Sequence, residues 1–168
     1  MPSDPRTDPR QPVIDRVLGF KPEIVVAARA HSLDWWLLAG LACQESSSDP
    51  WAVNPEPLYR YLVGDDPGER LMKPAIESLA DDLALQKISW GLCQVMGGVA
   101  REYGFAGWLT QLCDPAVGLE YGARHLAAKI KQAHGDVRAG LQFYNGGGNP
   151  DYASQVLAWA ALFQATRS

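Results

Sequence analysis

The run Trp35-Trp36-Leu37-Leu38-Ala39-Gly40-Leu41-Ala42-Cys43 constrains this chain more than any other segment. Its nine residues carry no charge. At helical spacing Trp35, Leu38, Ala42 and Glu45 share one stripe, with Trp36, Leu37 and Leu41 beside it. A helix that is apolar all round must be enclosed by the rest of the fold. The run is too short to cross a bilayer, and no stretch of 18 or more apolar residues occurs, so no stable membrane insertion is expected. With 168 residues, 47% of them hydrophobic, the chain can wrap one core around this helix.

Proline, glycine and capping residues divide the remainder. Residues 1–12, with Pro2, Pro5, Pro9 and Pro12 among polar neighbours, read as a flexible arm. Pro12 opens a short helix through Phe20, and Pro22 restarts the chain into a second ending near His31. Ser32 or Asp34 caps the apolar helix, which runs to about Ser46. Four prolines make Ser47–Gly68 irregular, around an apolar-aromatic patch of Leu58, Tyr59, Tyr61, Leu62 and Val63. Pro74–Ile88 reads as a weak helix and Gly91–Tyr103 as another, despite Gly97 and Gly98. Pro115 starts a long helix to about His134, and Asp136 caps a short one to Tyr144. After the glycine turn Asn145–Asn149, a last helix runs from Pro150 to Gln164. Sustained β-alternation is missing. The expected fold is mainly α, with a small irregular or β-hairpin lobe in the proline-rich middle. The expected organisation is the arm plus a single domain over 13–168.

Charge and cysteine usage exclude several functions. Fifteen basic against nineteen acidic residues give a net charge of −4, and no basic recognition helix is present, so nucleic acid is not an expected partner. Cys43, Cys93 and Cys113 are odd in number and form no CxxC pair, which fits neither a zinc site nor a disulfide framework. His31, His125 and His134 form no metal motif.

Glu45 is the first chemical candidate. A carboxyl at the end of so apolar a helix is desolvated, which raises its pKa and keeps a proton available near neutrality. Glycosidic cleavage needs such a general acid. The bland alternative is a glutamate that ends a buried helix and meets solvent.

Three blocks, taken in order, decide between these. Glu45-Ser46 is followed by Pro50, Trp51, Ala52, Val53 and Asn54. Gly91-Leu92-Cys93-Gln94-Val95-Met96 forms the second block and Tyr144-Asn145-Gly146-Gly147 the third, with Tyr152 and Val156 after it. Over roughly residues 33–160 the chain resembles lytic transglycosylases of the soluble (SLT) type, which have the goose-type lysozyme-like fold. Cys93, Asn54 and Gly97 stand where methionine, serine and proline are common in the family. About 35 residues separate Asn54 from Gly91, where simple members have only a few, so 56–87 reads as an insertion beside the cleft. Such insertions resemble those of bacteriophage members.

The resemblance implies peptidoglycan glycan strands as partner and the β-1,4 bond from N-acetylmuramic acid to N-acetylglucosamine as target. It implies Glu45 as acid and then base, with no metal or cofactor. It places Gln94 in the cleft, on sugar or backbone, and brings the Tyr144 hydroxyl to Glu45 or to the substrate acetamido group. Ser46 orients the end of the catalytic helix, and Asn145 holds the glycine turn at the substrate site. Trp51, Trp90 and Trp108 are sugar-stacking candidates, Trp90 first for its place beside the Gly91 block, with core burial the alternative for each; Tyr59 is a candidate cleft wall or lid, with a surface loop pinned by its aromatics as the alternative.

Two rival functions stay open. A hydrolytic muramidase would need a second carboxylate, for which Asp49, Glu56, Asp65, Asp66, Asp81 and Asp82 are candidates. A non-catalytic wall-binding or assembly protein on the same fold is the other. No secretory signal is visible at the start of the sequence, so delivery to the wall through a pore, as for an endolysin, or as a virion component is expected. A monomer is expected.

Overall fold

The computed structural model describes residues 8–66 and 68–164. Residues 1–7 of the expected arm lie outside the described residues. Gln11 and Pro12 already belong to the first helix, α1 (Gln11–Gly19). It is followed by α2 (Lys21–Ala30) and α3 (Trp35–Ser46).

Helix α3 is the apolar run, and Leu37 to Cys43 are all buried. Its main partner is α8 (Tyr152–Gln164), which carries Val156, Ala160 and Phe163 into the core. Gly40 sets how closely the two approach. A Cβ there would lie 2.8 Å from the Ala160 nitrogen and 2.8 Å from the Val156 carbonyl. The absent side chain lets the α8 backbone rest directly on α3.

The long α6 (Pro115–Gln132) packs on α2 and on α7 (Val137–Tyr144), closing the helical body. Asp114 caps α6 through the Ala116 and Val117 N–H groups, and Asp136 caps α7 through Ala139.

The small lobe is a three-stranded antiparallel sheet in the order β1 (Val53–Pro55), β2 (Ile88–Trp90), β3 (Val95–Met96). Val53 faces Trp90, and Trp90 faces Val95. The fold is thus mainly helical with a small β lobe, as the sequence suggests.

The expected Gly91–Tyr103 helix is a correction. Only α5 (Gly97–Glu102) is helical there. Residues 88–96 form the β2–β3 hairpin instead, because Gly91 (φ +68°) and Gln94 (φ +46°) both take left-handed backbone that an α-helix does not permit. Pro74–Ile88 is also trimmed. Helix α4 (Leu79–Gln86) begins where the Ser78 hydroxyl accepts from Asp81 N–H at 3.0 Å.

The segment 56–87 is tied to the body by buried polar groups. Arg101 on α5 donates from Nε to Asp82 (3.0 Å) and from Nη1 to the Gly107 carbonyl (2.9 Å), and its Nη2 meets Glu77 at 3.4 Å. The side chains of Arg101, Asp82 and Glu77 are almost wholly buried. The Gln86 amide links Asp82 Oδ1 (2.7 Å) to both backbone groups of Val63. Asp82, a candidate second carboxylate, therefore belongs with Arg101 and Glu77 to a clamp that holds 56–87.

Candidate active site

Glu45 lies in the last turn of α3. The helix stops because Ser47 (φ +52°) and Ser48 (φ +63°) adopt left-handed backbone, and the Ser48 N–H returns to the Ala42 carbonyl at 3.2 Å. Its carboxyl accepts a hydrogen bond from the Tyr152 hydroxyl at the start of α8. The Gly40 crossing that docks α8 onto α3 is what brings the two side chains together.

Burial pushes the Glu45 carboxyl up to about 7, against a smaller downward pull from the Tyr152 hydrogen bond. The negative end of the α3 dipole acts in the upward direction too. Burial and the neighbouring Glu45 charge raise the Tyr152 phenol and the Cys93 thiol well above their ordinary values.

The second motif block builds the wall beside Glu45. Gly91 permits the turn after β2, since a Cβ there would lie 2.2 Å from the Leu112 carbonyl and its φ is positive. Gln94 spends its amide on that turn. Its Nε2 donates to the Gly91 (2.9 Å) and Ala52 (3.1 Å) carbonyls, and its Oε1 accepts from the Ser89 hydroxyl at 2.9 Å. Of the two partners expected for Gln94, the structure shows backbone. The Ser46 hydroxyl donates to the Ala42 (3.1 Å) and Leu92 (3.0 Å) carbonyls, joining the end of α3 to the same turn.

Tyr144 requires a correction. Its hydroxyl donates to the Cys93 carbonyl at 2.7 Å, not to Glu45, and it is Tyr152 that reaches the carboxyl. Burial, followed by the nearby Cys93, Glu45 and Tyr152 charges, holds the Tyr144 phenol well above its usual value. His125 supports Tyr144 from behind, with ring centroids 4.9 Å apart and its Nδ1 paired with the Tyr103 hydroxyl at 3.0 Å. Burial lowers His125 to about 4, so it is neutral. With its amide turned so that the oxygen faces the glycine turn, the orientation that satisfies both ends of the group, Asn145 accepts from Asn149 N–H (2.9 Å) and Gly148 N–H (3.3 Å).

Trp90 is the second correction. It is 5% exposed, and its Nε1 donates to the Leu85 carbonyl at 3.3 Å, so it is a core residue with no face for a sugar. Trp51 and Trp108 are the exposed tryptophans, at 75% and 41%. Tyr59 packs its ring against Gly98 and edge-on to Tyr61 (5.7 Å), pinning the insertion to α5.

The acidic candidates for a second carboxylate make hydrogen bonds of their own or are exposed within 56–87. Asp49 accepts from Trp51 N–H (2.9 Å), Glu56 from Asn54 Nδ2 (2.8 Å) and Asp81 from the Ser78 hydroxyl (2.6 Å). Asp82 belongs to the buried Arg101 clamp, and Asp65 and Asp66 are exposed. Among the described residues, Tyr152 is the one side chain that shifts Glu45. No cluster of His, Cys, Asp or Glu suited to a metal occurs among the described residues.

Sequence reasoning missed two features. Tyr152 was visible only as a spaced aromatic after the third block, and its role depends on the α3–α8 crossing. His125 offered no signal, because its partners are remote in sequence: Tyr103 just after α5 and Tyr144 on α7. The family described as Transglycosylase SLT domain matches this chain over residues 23–156. No curated protein and no solved structure matches it.

Proposed function

The chain belongs to the Transglycosylase SLT domain family, whose members are peptidoglycan lytic transglycosylases, and from that premise we propose that Glu45 alone carries both proton transfers of the reaction. The observation behind this reading is a buried carboxyl whose pKa lies near 7, with a tyrosine as its hydrogen-bond donor and, among the described residues, no second carboxylate acting on it.

Near neutral pH a substantial fraction of Glu45 is protonated. Tyr152 donates to one carboxyl oxygen, which leaves the other to carry the proton. That proton passes to the glycosidic oxygen as the bond to the muramyl anomeric carbon breaks. The substrate's own acetamido oxygen bonds to the anomeric carbon as positive charge develops there. Ionised Glu45 then takes the proton from the sugar C6 hydroxyl. The C6 oxygen closes onto the anomeric carbon, the acetamido oxygen departs, and a 1,6-anhydro end results. Glu45 finishes protonated, and no water is consumed.

Gln94, Ser46 and Tyr144 position the site: Gln94 ties the 91–94 turn to Ala52 before β1, Ser46 ties it to α3, and Tyr144 ties it to α7. Hydrolysis of the same bond would need a base to activate water, and none of the candidate carboxylates shifts Glu45.

Mass spectrometry of muropeptides released from purified walls tests this. Anhydro-muramyl ends are the expected result. Reducing muramyl ends, heavier by one water, would establish hydrolysis instead.

A further inference from the structure

Trp51 is the most exposed tryptophan of the described residues, at 75%. The loop that carries it is ordered by its own hydrogen bonds: Trp51 N–H donates to Asp49, and the Ala52 carbonyl accepts from Gly91 N–H at 2.8 Å. Beside the indole opens a groove of about 570 Å³, within the roughly 300–1,000 Å³ of small-molecule sites. Phe20, Pro50 and Pro115 form its apolar floor, and Thr110, Gln111 and Asp114 its polar edge. Neither Glu45 nor any residue of its wall lines it.

The polar edge has unused capacity. Thr110 and Gln111 are exposed, and no side-chain hydrogen bond engages them among the described residues. Asp114 uses only Oδ1 to cap α6, at 2.9 Å to Ala116 N–H and 3.3 Å to Val117 N–H, so Oδ2 is open. The lining contains one carboxylate and no Lys, Arg or His. It therefore repels phosphates and anionic surfaces. An indole face edged by hydroxyl, amide and carboxylate suits a neutral pyranose. The apolar C–H face of the sugar stacks on the ring, while its hydroxyl and acetamido groups turn to the edge.

We propose that this groove is a secondary glycan subsite, which holds N-acetylhexosamine units of the wall away from the point of cleavage. Trp51 is the stacking platform, Thr110 and Gln111 bond hydroxyl and acetamido groups, and Asp114 Oδ2 accepts from a hydroxyl. The choice of sugar rests on the peptidoglycan reading above. The subsite adds retention on an extended polymer and nothing to the chemistry at Glu45.

The test uses the full chain carrying Glu45→Gln, so that walls are bound without being cut. Trp51→Ala added to it is expected to weaken binding to purified insoluble walls about tenfold, the equivalent of about 1.4 kcal/mol. Chitotetraose is expected to compete for the same binding and to perturb indole fluorescence only while Trp51 is present. In the active enzyme, Trp51→Ala should raise KM on whole walls. Gln111→Ala, a surface change that spares the fold, should weaken wall binding in the same direction. Wall binding unchanged in both variants, or competition by a proline-rich peptide and not by chitotetraose, would overturn the subsite. Trp51-dependent wall binding by a protein that releases no muropeptides would sustain the subsite while removing the enzymatic reading.

Discussion

The Tyr152 hydroxyl donates to the Glu45 carboxyl across the α3–α8 contact, and it opposes the burial that raises Glu45 to about 7. Tyr152→Phe keeps the buried ring and deletes the donor. Glu45 should then titrate at higher pH, because the influence that lowers it is gone. The basic limb of the pH–rate profile should move upward. The carboxyl also loses its fixed orientation, so kcat at pH 6 should fall about tenfold. A profile whose basic limb stays in place would show that the hydrogen bond does not act on the group that titrates in the rate.

Glu45→Gln should reduce wall cleavage by at least about 10²–10⁴-fold, the usual worth of a positioned general acid. It should also stabilise the protein, with a definite pH signature. A carboxyl raised from 4.5 to about 7 favours folding most below the unfolded value, and that contribution is lost as pH rises through about 7. Removing it should leave stability at pH 4 nearly unchanged and increase it by on the order of 1–3 kcal/mol at pH 9. Denaturant midpoints at the two pH values check this, and equal differences at both would contradict the burial of Glu45.

What the sequence discloses and what it conceals follow from the range of the interactions. Trp35–Cys43 could only be a buried helix, so α3 and the placement of Glu45 at its end were legible locally. The Asp136 cap and the Pro115 start were legible for the same reason. The choice between Tyr144 and Tyr152 was not, since it depends on how α8 rests on Gly40. The β2–β3 hairpin was concealed by a short apolar run whose periodicity does not separate strand from helix. Its deciding feature, the left-handed backbone at Gln94, is stabilised by carbonyls as distant in sequence as Ala52. Trp90 was misread because position beside a motif does not reveal which way an indole points. Asp82 and Arg101 look like surface charges until the chain brings them together.

That buried clamp gives the third prediction. Arg101→Met leaves Asp82 and Glu77 buried without their cation, which typically costs about 3–5 kcal/mol. The loss should be largest near neutral pH and shrink in acid, where protonated carboxyls need no counter-charge. Burial, followed by the influence of Asp82, already raises Glu77. Limited proteolysis should find new cleavage within 56–76 in the variant at pH 7. A variant with wild-type melting and an unchanged cleavage pattern would mean that Arg101 does not hold the insertion.

Gly91→Ala tests how strictly the second motif block depends on its backbone. Position 91 has a positive φ, which costs an L-residue roughly 1–2 kcal/mol, and the new methyl would sit 2.2 Å from the Leu112 carbonyl. The contact is with backbone, so no side-chain rotation relieves it. The turn must shift, and Gln94, Ser46 and Tyr144 all bond to groups within residues 91–93. The expected outcome is a destabilisation of at least about 2 kcal/mol, with a fall in kcat larger than the unfolded fraction explains. Gln94→Ala, which removes the brace but adds no clash, should lower kcat in the same direction with a smaller loss of stability. A Gly91→Ala protein with normal melting and normal kcat would separate this turn from the alignment of Glu45.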